Sequence, residues 1–166
     1  MRSINCLLLL LAIVAVFAGG CNSGSGKDAS TLPSSLAGVP RFTVSVQLSP
    51  KASAKLKKMG ETIIVSASFF GYPTEAAQSK AECSGEIGLG SVDKEMDKPG
   101  VAIFEGSTYD KSKLPLIENQ EPLLLINVFS GRKSSEDNLL DCSIFQDSVD
   151  RAVKDGVHID CKLIGE

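Results

Sequence analysis

Apolar and polar residues alternate along residues 41–48, with Phe42, Val44, Val46 and Leu48 on one side and Thr43, Ser45 and Gln47 on the other. This two-residue period predicts a half-buried strand. Ser49-Pro50 then supplies an N-cap and a first-turn proline, Ala52, Leu56 and Met59 share a helical face, and Gly60 provides the stop of a short helix. Residues 62–70 (TIIVSASFF) are β-branched and aromatic and end at the turn-like Gly71-Tyr72-Pro73, which predicts a central strand. Thr74–Ser84 reads as a polar loop or weak helix, residues 86–92 as a Gly-interrupted strand and residues 101–105 as another strand. Leu123–Phe129 predicts a buried strand, and Gly131–Asn138 a long polar loop. Ser143 and Gln146 have the spacing of a capping box, and Phe145, Val149, Ala152 and Val153 line one face of a helix that ends at Gly156. The final strand, residues 157–164, turns Val157, Ile159, Cys161 and Leu163 to one side.

Five or six strands with two or three short helices predict a mainly β (α+β) domain, small and β-sandwich-like. A weak internal echo runs through it: from Glu61 onward, Glu61, Ile63, Ile64, Phe69 and Gly71 match Glu121, Leu123, Leu124, Phe129 and Gly131 at an offset of 60. Strands of similar hydrophobicity produce such coincidences readily.

Ahead of this domain the pattern changes twice. Arg2 precedes Leu7–Ala18, an unbroken run of twelve apolar residues that ends in Gly19, Gly20 and Cys21. This is the form of a secretory signal, and the run is short of the ~20 residues that cross a membrane. Residues 22–40 are dominated by Ser, Gly, Ala, Pro, Thr and Asn without apolar periodicity, and predict a flexible tether with a reach of roughly 24 Å. The expected organisation is a signal over residues 1–20, Cys21 and tether over 21–40, and one globular domain over 41–166.

Ala18-Gly19-Gly20-Cys21 resembles the lipobox of bacterial lipoprotein precursors, with Ala18 where that family most often has Leu. The resemblance implies diacylglycerylation of the Cys21 thiol and a mature chain held to a membrane by several acyl chains, each CH2 contributing about 0.8 kcal/mol. The other processing outcome is cleavage after Val16-Phe17-Ala18, an ordinary small-residue site, which leaves Cys21 as a free thiol. In Gram-negative lipoproteins Asp after the cysteine favours inner-membrane retention. Asn22 resembles the released class, which implies an outer-membrane protein facing the periplasm.

The chain carries 17 Lys+Arg against 20 Asp+Glu, a net charge of −3, and without residues 1–20 the balance is 16 against 20. Nucleic-acid binding rests on clustered cations, so DNA and RNA are not expected partners. Of the five cysteines, Cys6 lies in the signal and Cys21 at the lipobox, which leaves Cys83, Cys142 and Cys161 in an oxidising compartment. Three single bridges are possible. Cys142 with Cys161 is favoured, because these residues flank one predicted helix, and closing a loop of that size contributes roughly 3 kcal/mol. Cys83 is then unpaired.

Candidate chemistry is sparse. His158 is the sole histidine, which excludes multi-His metal sites, and it alternates with the inward residues of its strand. Ser130-Gly131-Arg132-Lys133 resembles the Ser-x-x-Lys of penicillin-recognising enzymes over four residues, without that family's Lys-Thr-Gly strand. The oxygen-bearing Glu136, Asp137, Asn138 and Asp141 do not follow the EF-hand spacing, and Gly85, Gly88 and Gly90 do not follow the dinucleotide order. Lys51, Lys55, Lys57 and Lys58 put four cations on the first helix, a solvated face or a contact to anionic lipid. No catalytic residue, metal or cofactor is assigned. The best contact candidate is the polar loop, through Arg132, Lys133, Glu136, Asp137 and Asn138. These features fit a lipid-anchored envelope lipoprotein that is a non-enzymatic binding or accessory module for an envelope partner. The alternatives are a small periplasmic hydrolase using Ser130 or His158, and a structural or ligand-carrying lipoprotein. A carrier needs a sizeable apolar cavity, whereas a binding module needs a closed core and an exposed contact patch.

Overall fold

A computed structural model describes residues 36–166. The signal, the lipobox with Cys21 and most of the expected tether lie outside the described residues. In chain order the elements are β1 (Leu36–Gly38), β2 (Phe42–Leu48), α1 (Pro50–Met59), β3 (Ile63–Gly71), β4 (Ile87–Met96), β5 (Gly100–Phe104) and β6 (Thr108–Asp110). They continue with β7 (Leu123–Ser130), β8 (Leu140–Cys142), β9 (Phe145–Ser148), α2 (Val149–Asp155) and β10 (Val157–Leu163). Short 3-10 turns occupy Glu75–Lys80, Lys111–Leu116 and Glu118–Gln120.

The strands form two four-stranded sheets, β5-β2-β10-β8 and β4-β3-β7-β9, and a two-stranded ribbon of β1 and β6. The domain is mainly β, as the alternation predicts. β10 runs parallel to β2, with Ile159 opposite Val46, while the other pairs are antiparallel. One face of each sheet is apolar. Phe42, Val44 and Val46 of β2, Val157, Ile159 and Cys161 of β10, Ile63, Val65, Ala67 and Phe69 of β3, and Leu124, Ile126 and Val128 of β7 belong to a single core cluster. Ala52 and Leu56 of α1 and Val149 and Ala152 of α2 complete it. Phe42 stacks on Phe104 at 4.9 Å between centroids, joining β2 to β5 inside this core.

α1 begins and ends where the sequence places it. The Ser49 hydroxyl accepts from the Ala52 N–H at 3.1 Å, and Gly60 takes the left-handed conformation (φ 65°) that closes the helix. The second helix starts later than expected. Phe145–Ser148 is the edge strand β9, with Phe145 opposite Ile126, and the helix is capped by Ser148, whose hydroxyl accepts from the Arg151 N–H at 3.3 Å. Ser143 does not cap anything: its hydroxyl and its N–H bond the Asp160 backbone and tie the β8–β9 corner to β10. A cross-strand partner therefore overrides the local capping pattern.

The offset-60 echo brings β3 and β7 together as neighbours, yet with opposite facing. Ile63 and Phe69 point into the core, whereas Leu123 and Phe129 lie on the outer face; Ile64 faces outward, and Leu124 is buried. In this register an even offset pairs inward positions with outward ones, so the echo does not describe two equivalent halves.

Each end of the sandwich has its own set of connections. Leu48, the end of α1, Gly60–Ile63 and the Asp97–Pro99 turn surround one cleft of about 500 Å³. Gly38, Pro40, Tyr109, Glu121, Pro122 and the start of α2 line a concavity of about 270 Å³ at the other end, where the chain enters the domain. β2 and β7 run from the entry pole to the far pole, a span of roughly 20–25 Å for strands of this length.

The Cys142–Cys161 disulfide closes a loop with a sequence separation of 19 that contains β9 and α2, and the two cysteines are directly paired across β8 and β10. Cys83 is free and exposed. Replacing Cys142 by Ala is expected to lower unfolding free energy by about 3 kcal/mol on the chain-entropy account. Urea titration of the oxidised protein and of the variant checks this, and the variant should match the reduced wild type.

Candidate functional site

The contact candidate lies at the far pole. Between Ser130, the last residue of β7, and Leu140, the first of β8, the chain forms a loop whose two ends are fastened by different devices. Gly131 makes the first turn possible. Its N–H donates to the Thr62 carbonyl at 2.9 Å, so close that a Cβ at this position would collide with the Thr62 hydroxyl. Arg132 follows in the left-handed region (φ 57°), an uncommon conformation for a residue with a side chain.

Glu61 fastens the beginning of the loop. It is 3% exposed, and its carboxylate takes the N–H groups of Thr62 at 3.0 Å, Lys133 at 3.0 Å and Ser134 at 2.8 Å, together with the Ser134 hydroxyl at 2.7 Å. Burial pushes its pKa up, but the bonds from Ser134, Lys133 and Thr62 outweigh this and lower it from 4.5 to about 2. A second carboxylate extends the clasp. Glu95, near the end of β4, accepts from the Thr62 hydroxyl and the Lys133 ammonium, both at 2.7 Å. These bonds hold the Glu95 pKa below its ordinary value, and Glu95 in turn raises that of Lys133. Residues 61–62, 95 and 133–134, far apart in the chain, are thus closed into one hydrogen-bonded ring.

Asn138 fastens the other end. Its side-chain oxygen accepts from the Ser130 N–H at 2.9 Å, the Ser130 hydroxyl at 3.2 Å and the Leu140 N–H at 3.1 Å, while its amide nitrogen donates to the Leu140 carbonyl at 2.8 Å. Asn138 is half-buried, so its amide holds the loop in shape and does not face outward as a contact group. Arg132, Lys133, Glu136 and Asp137 are exposed. The ammonium of Lys133 is engaged by Glu95, which leaves Arg132, Glu136 and Asp137 as the charged groups displayed by the loop.

The structure does not bring Ser130 and His158 together. Ser130 is 0% exposed, and its hydroxyl donates to Asn138 and accepts from the Leu139 N–H at 2.9 Å. His158 lies on the outer face of β10, half exposed, with Nε2 3.1 Å from an Asp160 carboxylate oxygen. Lys133 of the four-residue Ser-x-x-Lys pattern bonds Glu95 and not the serine. The other glycine pattern is structural as well: Gly88 and Gly90 flank a bulge in β4, opposite Phe70 and Phe69. Lys51, Lys55, Lys57 and Lys58 are exposed on α1, with Lys57 on the wall of the far-pole cleft.

Glu61 and Asn138 carry the loop, and sequence reasoning placed neither in a clasp. Glu61 gives no local signal beyond following a helix-ending glycine. Neither a protein-family model, nor a curated protein, nor a solved structure matches this chain.

Two variants test the clasps. A carboxylate with a lowered pKa contributes stability above its unfolded-state value, and that contribution disappears as pH falls through the folded-state value. Glu61→Gln is therefore expected to cost about 2 kcal/mol at pH 7, with the gap to wild type shrinking as pH falls from 4.5 towards 2; urea melts across that range measure it. Asn138→Ala leaves a buried hydroxyl and backbone N–H groups without their acceptor, and should cost about 2 kcal/mol. Hydrogen exchange should then rise at Ser130, Leu139 and Leu140, but not at Lys133 and Ser134.

Proposed function

We propose that the protein is a bacterial cell-envelope lipoprotein, anchored through Cys21, whose domain is a non-enzymatic binding module for another envelope component. The observation that carries the binding role is the loop at residues 131–139: fastened at both ends, it displays Arg132, Glu136 and Asp137 at the pole away from chain entry. A loop fixed before binding loses little entropy on association, and an exposed arginine on such a frame is a frequent anchor of protein interfaces. The chain enters the domain at the opposite pole, at Gly38 and Val39. Asn22 after the lipidated cysteine favours the outer membrane, with the domain in the periplasm.

A hydrolase built on Ser130 draws no support from a serine whose hydroxyl is buried and bonded on both sides. A carrier draws little from a core closed by interdigitated side chains, with the far-pole cleft open at the surface and lined by Ser53, Lys57, Asp97 and Lys98 as well as apolar residues.

A photocrosslinking residue at Arg132 or Glu136 of the native lipoprotein is expected to capture one envelope protein that the same residue at Ser45, on the outer face of β2, does not. Capture should fall sharply in Cys21→Ala, which is not anchored. Equal capture from Ser45, or turnover of a cell-wall or ester substrate that is lost in His158→Ala, would sink the proposal.

A further inference from the structure

The four outer strands of the two sheets differ in how their free edges are guarded. An unpaired edge is a template for another strand, and proteins blunt it with charge, side-chain caps or brevity. β8 and β9 have three and four residues. On β4 the Gly88 carbonyl is capped by the Lys113 ammonium at 2.6 Å, the Gly88 N–H by Glu82 at 3.2 Å, and Asp93, Lys94 and Glu95 charge the remainder. β5 carries no charge of its own and no side-chain cap on its backbone among the described residues, although Lys94 of β4 lies over the Phe104 ring at one end, 5.9 Å from its centroid. Its five residues, Gly-Val-Ala-Ile-Phe, are uncharged, and its outward side chains Val101 and Ile103 are 58% and 39% exposed. They border an outer face that is otherwise polar, with Thr43 and Ser45 of β2 directly beside them and His158, Asp160 and Lys162 beyond on β10.

We propose that β5 is an open pairing edge and that its occupant is β5 of a second copy of this chain, joined antiparallel about a two-fold axis to make one eight-stranded sheet. The strand is complementary to itself in that direction. Pairing centred on Ala102 sets Val101 of each copy against Ile103 of the other, two β-branched cross-strand pairs. The ends match as well. Asp97 and Lys98 precede β5, and at its other end Arg41 and Glu105 form a loose exposed pair at 3.9 Å. Antiparallel pairing brings Lys98 of one copy near Glu105 of the other, twice by symmetry. Pro99 has no N–H to give, which limits the paired segment to Gly100–Phe104.

The test uses the full chain purified in detergent. Wild type should sediment as a dimer at tens of micromolar, and Ile103→Lys should raise the dissociation constant at least about tenfold; at concentrations where both are monomeric the two should share one thermal transition, because this side chain lies outside the core. In a Cys83→Ser background, copies carrying Val101→Cys should crosslink under mild oxidation to copies carrying Ile103→Cys, in preference to their own kind. A wild type that stays monomeric at about 100 µM, a dimer indifferent to Ile103→Lys, or crosslinking without the Val101–Ile103 preference would overturn the proposal, as would occupation of the edge by a strand of a different protein.

Discussion

The far pole depends on one buried carboxylate. Among the described residues Glu61 has no cation in contact with its oxygens; its charge is met by three backbone N–H groups and one hydroxyl. Removing an ionised group from water costs several kcal/mol unless such donors replace the lost hydration. The donors come from two places, the start of β3 and the beginning of the 131–139 loop. The negative charge therefore binds the loop to the sheet more stringently than apolar contact would. Through Thr62 and Lys133 the same constraint reaches Glu95 on β4, so three strands share the arrangement.

This gives the two poles different characters. At the entry pole, Val39 is buried and its N–H reaches the Ser107 carbonyl, so the chain is caught as soon as the domain begins. At the far pole the 131–139 connection is held in shape by the side chains of Glu61 and Asn138. Between them runs a core to which both sheets contribute, with the disulfide stapling β8 to β10 at the end of the chain. The open edge of β5 is a separate property of the flank, since it arises from missing guards and not from loop shape.

Much of the fold was legible because strong periodicity reports burial directly. The alternation in β2 and β10, the apolar run in β7 and the Ser49–Gly60 boundaries of α1 all correspond to what the chain does. Strands of three or four residues were not legible, since β1, β6, β8 and β9 are too short for a period and exist only where a neighbour offers a ladder. β4 extends through Asp93–Met96, past the point where its apolar pattern stops, because β3 continues beside it. The loop is legible by its polarity, but no local pattern shows that Asn138 bonds both of its ends or that Lys133 pairs with Glu95.

The sequence by itself determined the mainly β class, the favoured disulfide and the position of an exposed polar loop. Each of these is a local pattern or follows from counting cysteines, and neither requires knowing what lies across from a residue. Only the tertiary structure decided which polar groups are hidden and which are displayed. Ser130 and Arg132 are two positions apart in the chain, yet one is sealed between β7 and Asn138 and the other stands in water. The difference is set by the register of β3 against β7 and by the Thr62 carbonyl that receives Gly131. Both are long-range pairings, and hydrogen-bond partners more than sixty residues apart leave no mark on the local pattern of the chain.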